Sequence, residues 1–269
     1  MGYQHGLFSW TDISVPDPDA GKTFYSSLFG WEADEQLFPD GSLMYIMFSR
    51  DGKAVAGMGK QMPEMTEQGI PPMWNSYISV DSVDDTIEKW TAAGGSVMMP
   101  AMDVMTSGRM AFVLDAEGAA VGLWEAGDHV GAGVFHVPGA MSWNELNTRN
   151  VDAARDFYGA ALGWEFETFE GEGPVYWLVT IPGKKQGDPL SNDNYNGGML
   201  TITEAFPPEM PAHWNVYFTV ANVDDTAAKL DEMGGKVLVQ AFDTPAGRMA
   251  VLQDPQGGTF SVIQPPAAA

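Results

Sequence analysis

Two carboxylic acids follow tryptophans at the same spacing in two related segments of the chain. Asp12 lies two residues after Trp10, and Glu145 lies two residues after Trp143. Alternate residues of a β-strand share a face, so a strand at either place would put the acid beside an indole ring. Burial of a carboxyl group generally raises its pKa and would suit it to proton transfer near neutral pH. The alternative role is structural, in a hydrogen bond to a neighbouring strand or an ion pair with arginine.

Amide and phenol side chains recur in a second pair of segments. Asn75 and Tyr77, like Asn215 and Tyr217, are two residues apart in alternating strand-like sequence. Each pair would therefore share a face and offer hydrogen-bonding groups to a ligand. Alternatively, the members of a pair satisfy each other and ordered water.

Arginine is scarce, which makes its recurrence informative. Arg109 and Arg248 occupy equivalent positions, each preceded by an acid, Asp103 or Asp243. Either the guanidinium groups bind an anionic ligand bidentately, or each pairs with its neighbouring acid across a hairpin.

These positions belong to a repeat that runs through the whole chain. The segment 10–32 returns 133 residues later as 143–165, and the segment 74–86 returns as 214–226. A period of this length indicates two tandem copies of one domain, each able to bury its own core. We expect a first domain over residues 1–128, a Gly-rich linker over 129–139 and a second domain over 140–269.

Each copy is predicted to contain a strand, a helix and three strands, followed by the same series again. The predicted helix N-caps are Asp17 and Ser82 in the first copy and Asn150 and Asn222 in the second, and Gly30 is expected to end the first helix. This pattern predicts an α+β fold with two βαβββ modules in each half.

The pattern resembles the vicinal oxygen chelate superfamily, which includes glyoxalase I, extradiol dioxygenases and bleomycin-type drug-sequestering proteins. The resemblance is carried by the FY-x4-GW ends of the first helices, at Phe24 and Phe157, and by the closing turns at Asp115 and Asp254. It implies two glyoxalase-like domains, each with a cup-shaped mixed sheet. The tandem form is similar to an actinobacterial group that contains a glyoxalase-type culture-filtrate antigen and hydroxylase-like proteins of polyketide clusters.

The resemblance also implies where a divalent metal would be held, on the first, fourth, fifth and eighth strands of a cup. The corresponding positions provide no imidazole or carboxylate: they are Trp10, Asn75 and Gly122, then Trp143, Asn215 and Ser261, with fourth-strand positions near 56–58 and 198–200. The four histidines (His5, His129, His136 and His213) are expected to have structural or solvent-facing roles. We therefore expect neither a metal nor another cofactor.

Composition limits the remaining classes. The formal charge of −23 disfavours nucleic acid and anionic membranes, and no apolar run approaches the roughly 20 residues of a membrane span. The N-terminus lacks the features of a signal peptide. The absence of cysteine excludes disulfides and thiolate sites. We expect a cytoplasmic protein, either a monomer with an internal pseudo-dimer or a homodimer.

Two functions remain compatible with the sequence. The first is metal-independent binding of a small, largely apolar or aromatic metabolite, for sequestration, carriage or resistance, with Trp10, Asn75, Tyr77, Arg109, Trp143, Asn215, Tyr217 and Arg248 as ligand contacts. The second is a metal-free enzyme, either a glyoxalase-related lyase or a polyketide hydroxylase- or cyclase-like activity, with Asp12 and Glu145 as acid and base. The sequence contains no nucleophile elbow, P-loop or dinucleotide fingerprint.

Overall fold

The computed structural model describes residues 2–169, 175–183, 196–204 and 206–266. The first half of the chain forms these elements in order: β1 (Phe8–Val15), α1 (Pro18–Phe29), β2 (Glu32–Leu37), β3 (Leu43–Arg50), β4 (Lys53–Lys60), α2 (Pro63–Glu67), β5 (Met73–Ser79), α3 (Val83–Ala92), β6 (Ser96–Val104), β7 (Gly108–Leu114) and β8 (Ala120–Ala126). The short helix α2, which begins at Pro63 in the Pro-rich connection, is the one element here that the sequence pattern did not predict.

The second half repeats this series. Its elements are β9 (Met141–Thr148), α4 (Val151–Leu162), β10 (Glu165–Phe169), β11 (Tyr176–Thr180), β12 (Gly197–Thr201), β13 (His213–Thr219), α5 (Val223–Glu232), β14 (Lys236–Thr244), β15 (Gly247–Gln253) and β16 (Thr259–Gln264). The predicted α+β class with two βαβββ modules in each half is confirmed.

Within every module, the first strand pairs in parallel with the last strand, and the other pairings are antiparallel. A helix connects the first strand to the second and thereby allows the parallel pairing. The registers of the parallel pairs place these residues side by side: Asp12 and Gly57, Tyr77 and Gly122, Glu145 and Gly198, and Tyr217 and Ser261.

The helix boundaries follow local capping chemistry. The side chains of Asp17, Ser82, Asn150 and Asn222 each accept a hydrogen bond from the backbone N–H three residues later, as the sequence predicts. Gly30 has φ of 73°, a left-handed conformation that glycine adopts without steric penalty. The predicted end of α1 is therefore also confirmed.

The chain divides into two compact units, and neither unit is one half of the sequence. Unit 1 comprises residues 1–10, 75–131 and 143–215, and unit 2 comprises residues 11–74, 132–142 and 216–269. Each unit therefore draws on both repeats. The domain boundaries at residues 128 and 140 remain a prediction.

Each unit has its own aromatic-rich core. In unit 2, Phe24, Tyr25 and Phe29 of α1 pack with Phe218 and Phe260. In unit 1, α3 packs against α4, where Trp90 contacts Phe157 and Tyr158 edge to face. Burial of such rings and their edge-to-face geometry provide much of the stabilisation of a fold of this kind.

Across the described ranges, every helix falls short of the length and apolarity that a bilayer span requires.

Candidate functional site

The first-repeat acid, Asp12, is bound by a tyrosine from a strand that is not its neighbour. Tyr45 lies on β3, and β4 runs between β3 and β1. The Tyr45 hydroxyl donates to Asp12 Oδ2 over 3.0 Å, and the Asp12 side chain is buried. The sequence analysis left open a hydrogen bond to a neighbouring strand; the observed partner instead lies one strand beyond the neighbour.

The second-repeat acid, Glu145, has the same kind of partner, within a larger group of bonded residues. Tyr176 of β11 donates to Glu145 Oε2 over 2.9 Å, and Trp143 Nε1 donates to the same tyrosine oxygen over 2.8 Å. Asn147 Nδ2 lies 3.4 Å from Glu145 Oε1. Trp143, Tyr176 and Glu145 thus form a chain of hydrogen bonds, which we call the second-repeat cluster.

Glycine on the intervening strand makes both tyrosine positions possible. Each tyrosine ring crosses the glycine that is the direct strand partner of the acid, Gly57 beside Asp12 and Gly198 beside Glu145. A Cβ atom at either glycine would overlap the hydroxyl and ring atoms of the tyrosine. The close approach of ring and backbone therefore requires the absence of a side chain at these two positions.

A third tyrosine lies over a glycine on β8. Tyr77 is the parallel partner of Gly122, where a Cβ would overlap the Tyr77 ring, and its ring meets Phe112 with centroids 5.4 Å apart. The equivalent pair in the second repeat is Tyr217 beside Ser261. Both tyrosines are buried, and their neighbours Asn75 and Asn215 are partly exposed. The ligand-binding roles of these four residues remain predictions.

His129, for which the sequence analysis expected a structural or solvent-facing role, packs against two tryptophans of the site region, a contact that the sequence analysis did not predict. Its imidazole meets the Trp10 ring nearly perpendicularly, with centroids 4.6 Å apart, and lies 5.8 Å from the Trp124 ring. Trp124 Nε1 donates to the His129 carbonyl over 2.9 Å. Burial lowers the pKa of His129 from its ordinary value of 6.5. His129 lies in the Gly-rich linker, where no helix or strand periodicity in the sequence could predict this contact.

Two buried networks, also missed from the sequence, link residues of different repeats. In unit 2, Trp74 Nε1 donates to Tyr25 Oη over 3.1 Å, and Tyr25 donates to Asp254 Oδ2 over 2.6 Å. In unit 1, Trp214 Nε1 donates to Tyr158 over 2.8 Å, and Tyr158 donates to Asp115 Oδ2 over 3.0 Å. We call these the tyrosine–aspartate networks.

The aspartates of these networks also hold the closing turns. Asp115 Oδ1 accepts from the N–H groups of Glu117 and Ala119, and Asp254 Oδ1 accepts from those of Gln256 and Gly258. Burial raises the pKa of Asp115, and these hydrogen bonds oppose the increase. Burial, followed by the charge of the aspartate, raises the pKa of Tyr25 and Tyr158 well above 10.0. Both phenols therefore remain protonated donors in the folded protein.

The two repeated arginines form ion pairs at the protein surface. Arg109 Nη1 lies 2.9 Å from Asp103, and Arg248 Nη1 lies 3.0 Å from Asp243, as the ion-pair alternative predicts. Each guanidinium also binds a second acid at the start of a helix, Asp84 or Asp224. The pairing alternative is confirmed, and the role of these arginines in ligand binding remains a prediction.

Comparison with known proteins identifies the family. The family model described as "Glyoxalase/Bleomycin resistance protein/Dioxygenase superfamily" matches residues 7–123 and again residues 134–262. The chain belongs to this superfamily. It is 43% identical over 265 residues to "Putative glyoxylase CFP32" of Mycobacterium tuberculosis, with 98% of this chain and 96% of the relative covered. It is 38% identical to "Anthracycline biosynthesis protein DnrV" of Streptomyces peucetius, with 96% and 93% covered.

Solved structures of the superfamily have the same fold. The Mn(II)-bound glyoxalase from Novosphingobium aromaticivorans matches with a TM-score of 0.63 at 17% identity, covering 97% of this chain and 82% of the other. The 2,3-dioxygenase LapB from Pseudomonas sp. KL28 matches with a TM-score of 0.60 at 12% identity, covering 97% and 93%. These likenesses confirm two tandem glyoxalase-like domains, and at such low identity they support the fold alone.

The residues of this chain do not fit the metal site of the superfamily's metal enzymes. The register places glycine, not an acid or imidazole, beside Asp12 on β4, beside Glu145 on β12 and beside Tyr77 on β8. Ser261 takes the corresponding place beside Tyr217. In the part of the chain that the structure describes, no three histidine or acidic side chains are grouped as a metal ion would need.

Proposed function

We propose that the protein is a metal-independent member of the superfamily that binds a small, largely apolar aromatic metabolite, for sequestration, carriage or resistance. The proposal rests on the residue types at the positions where the superfamily's metal enzymes hold their metal. Tryptophan, asparagine, glycine and serine occupy them, and the nearby acids Asp12 and Glu145 accept hydrogen bonds from tyrosine hydroxyls. Aromatic rings with a few polar groups favour contact with a flat ligand over coordination of an ion.

Two further points support an aromatic ligand. Trp143 is only partly buried although its indole N–H is already bonded, so the residue keeps some surface that a ligand could contact. A relative of 38% identity is named for anthracycline biosynthesis, and anthracyclines contain a planar fused-ring chromophore. The formal charge of −23 disfavours the binding of anionic ligands. We expect a neutral, planar ligand.

The Tyr–carboxylate pairs favour one second candidate, a metal-free acid–base enzyme of the lyase, hydroxylase or cyclase type. Asp12 and Glu145 occur at equivalent positions, and each is held by a phenol from the third strand of its module. A carboxylate fixed in this way is positioned as a proton acceptor should be. The relative named as a glyoxylase supports this second class.

Two double variants distinguish the candidates. The acid variant combines Asp12→Asn with Glu145→Gln, which keeps size and hydrogen bonding and removes titration. The indole variant combines Trp10→Ala with Trp143→Ala. The probes are 1,8-dihydroxyanthraquinone for binding, followed by calorimetry, and methylglyoxal for turnover. Thermal unfolding of each variant controls for loss of the fold.

A binding protein should keep its affinity for the anthraquinone in the acid variant. The indole variant should lose roughly 1–3 kcal/mol of binding free energy through lost apolar contact. An acid–base enzyme should show the reverse, with turnover in the acid variant reduced roughly 10²- to 10⁴-fold. Metal analysis of protein purified without a histidine tag tests metal independence, and a stoichiometric transition metal would contradict it.

A further inference from the structure

The equivalent tryptophans Trp10 and Trp143 differ in how much of each ring is available. Trp10 is 5% exposed, and the edge-on contact with His129 covers its ring. Trp143 is only partly buried. A ring with almost no accessible surface can contribute little new apolar contact to a ligand, because the gain scales with the area removed from water.

Hydrogen bonds fix the backbone of His129, whose imidazole packs on Trp10. The backbone N–H of His129 donates to the Ser107 carbonyl over 3.0 Å, and Trp124 Nε1 donates to the His129 carbonyl. The backbone of His129 is thus held through its N–H and its carbonyl group. A ligand could reach the Trp10 ring only by displacing the imidazole that packs on it, so the first-repeat ring is disfavoured as a binding surface.

In contrast, the second-repeat cluster holds its indole from the polar edge. Trp143 Nε1 is bonded to Tyr176, whose hydroxyl is bonded to Glu145. These bonds fix the orientation of the indole and leave part of its surface accessible. All residues of the cluster, with Gly198, belong to unit 1.

We propose that the ligand binds in the second repeat alone, with its ring system packed on Trp143 and with Tyr176 as the positioning residue of that indole. The ligand is a neutral planar aromatic molecule. Trp10 is a core residue. This inference rests on the proposed function and adds to it the location of the site.

Matched single variants in the full chain test the asymmetry, with 1,8-dihydroxyanthraquinone as the probe in calorimetric titration. The pairs are Trp143→Ala with Trp10→Ala, and Tyr176→Phe with Tyr45→Phe. We expect one site per chain in the wild type. Trp143→Ala should weaken binding about 10-fold or more and Tyr176→Phe about 5-fold, with less than about 3-fold for either first-repeat variant.

Two additional measurements separate binding from folding. Trp143→Phe, which keeps an aromatic surface, should recover part of the affinity lost in Trp143→Ala. Tyr176→Phe should leave the thermal unfolding midpoint near that of Tyr45→Phe. It should also increase acrylamide quenching of the fluorescence component that Trp143→Phe removes, because the indole loses its anchor. Purely structural roles would lower the unfolding midpoint and the affinity together.

The outcomes have distinct meanings. A stoichiometry of two, or a loss in Trp10→Ala equal to that in Trp143→Ala, would overturn the one-site inference while the proposed function stands. Absence of probe binding to the wild type would overturn the proposed function for planar aromatic ligands and this inference with it.

Discussion

Trp10 and Trp143 stand at equivalent places in the repeat, yet Trp10 is buried against His129, whereas Trp143 is partly exposed. The tyrosine–aspartate networks of Tyr25 and Tyr158, in contrast, use the same donors and acceptors in both copies. The difference has a simple origin. Every member of the networks occurs twice in the sequence, whereas His129 belongs to a segment between the repeats that occurs once. A duplicated chain retains its internal hydrogen bonds, and its linker makes the copies unequal.

The largest effect should come from the symmetric part of this comparison. Asp115→Ala and Asp254→Ala each remove a buried carboxylate that accepts bonds from two turn N–H groups and a tyrosine hydroxyl. Each variant should lower the free energy of unfolding by about 3–5 kcal/mol, because several buried donors lose their partner. Denaturant unfolding measures both losses. A difference of more than about 2 kcal/mol between the variants would mean that the two networks are not energetically equivalent.

A smaller loss is expected where a tyrosine crosses a glycine. In Gly57→Ala and Gly198→Ala, the new methyl group would overlap Tyr45 or Tyr176 and displace its ring from the acid. Overpacking of this kind should lower the free energy of unfolding by about 1–3 kcal/mol in either repeat. If the second repeat alone binds the ligand, only Gly198→Ala should also weaken anthraquinone binding in calorimetric titration. Equal weakening by Gly57→Ala would argue for two working repeats.

The smallest effect should come from His129, which has no counterpart in the other repeat. Because burial lowers the pKa of His129 below 6.5, the folded protein binds fewer protons there than the unfolded chain does just below that pH. The stability contributed by neutral His129 is therefore present above pH 6.5 and is lost as the pH falls through the folded pKa.

The test is His129→Phe, which keeps a flat ring beside Trp10 and removes titration. The decrease in unfolding midpoint between about pH 7.5 and about pH 5.5 should be smaller in this variant than in the wild type. His5→Gln is the comparison variant. Burial lowers the pKa of His5 too, while the charge of Asp81 raises it and that of Lys89 lowers it, so this variant shows how much of the pH dependence comes from a histidine that does not contact Trp10. An unchanged pH dependence in His129→Phe would mean that His129 is not buried in solution as it is here.

Much of this fold was determined by the sequence itself. The four N-caps, the left-handed Gly30 and the strand–helix–three-strand series all depend on residues a few positions apart, and each was predicted. The spacing of Asp12 and Glu145 from their tryptophans predicted strands at these places, and a structural hydrogen bond to a neighbouring strand was one of the roles left open; the partner that forms lies one strand further away. These features are local, so composition and spacing are sufficient to define them.

The tertiary structure alone decided which distant groups meet. Tyr45 and Tyr176 were not distinguished from other strand tyrosines, because their role depends on a glycine in a neighbouring strand and on the register of three strands. The bond between Tyr25 and Asp254 joins residues 229 positions apart, and the contact of His129 with Trp10 arises from a linker without periodicity. Local sequence specifies backbone conformation and the identity of each donor and acceptor. Which of them become partners depends on how the folded chain buries its rings together, and no spacing along the sequence encodes that.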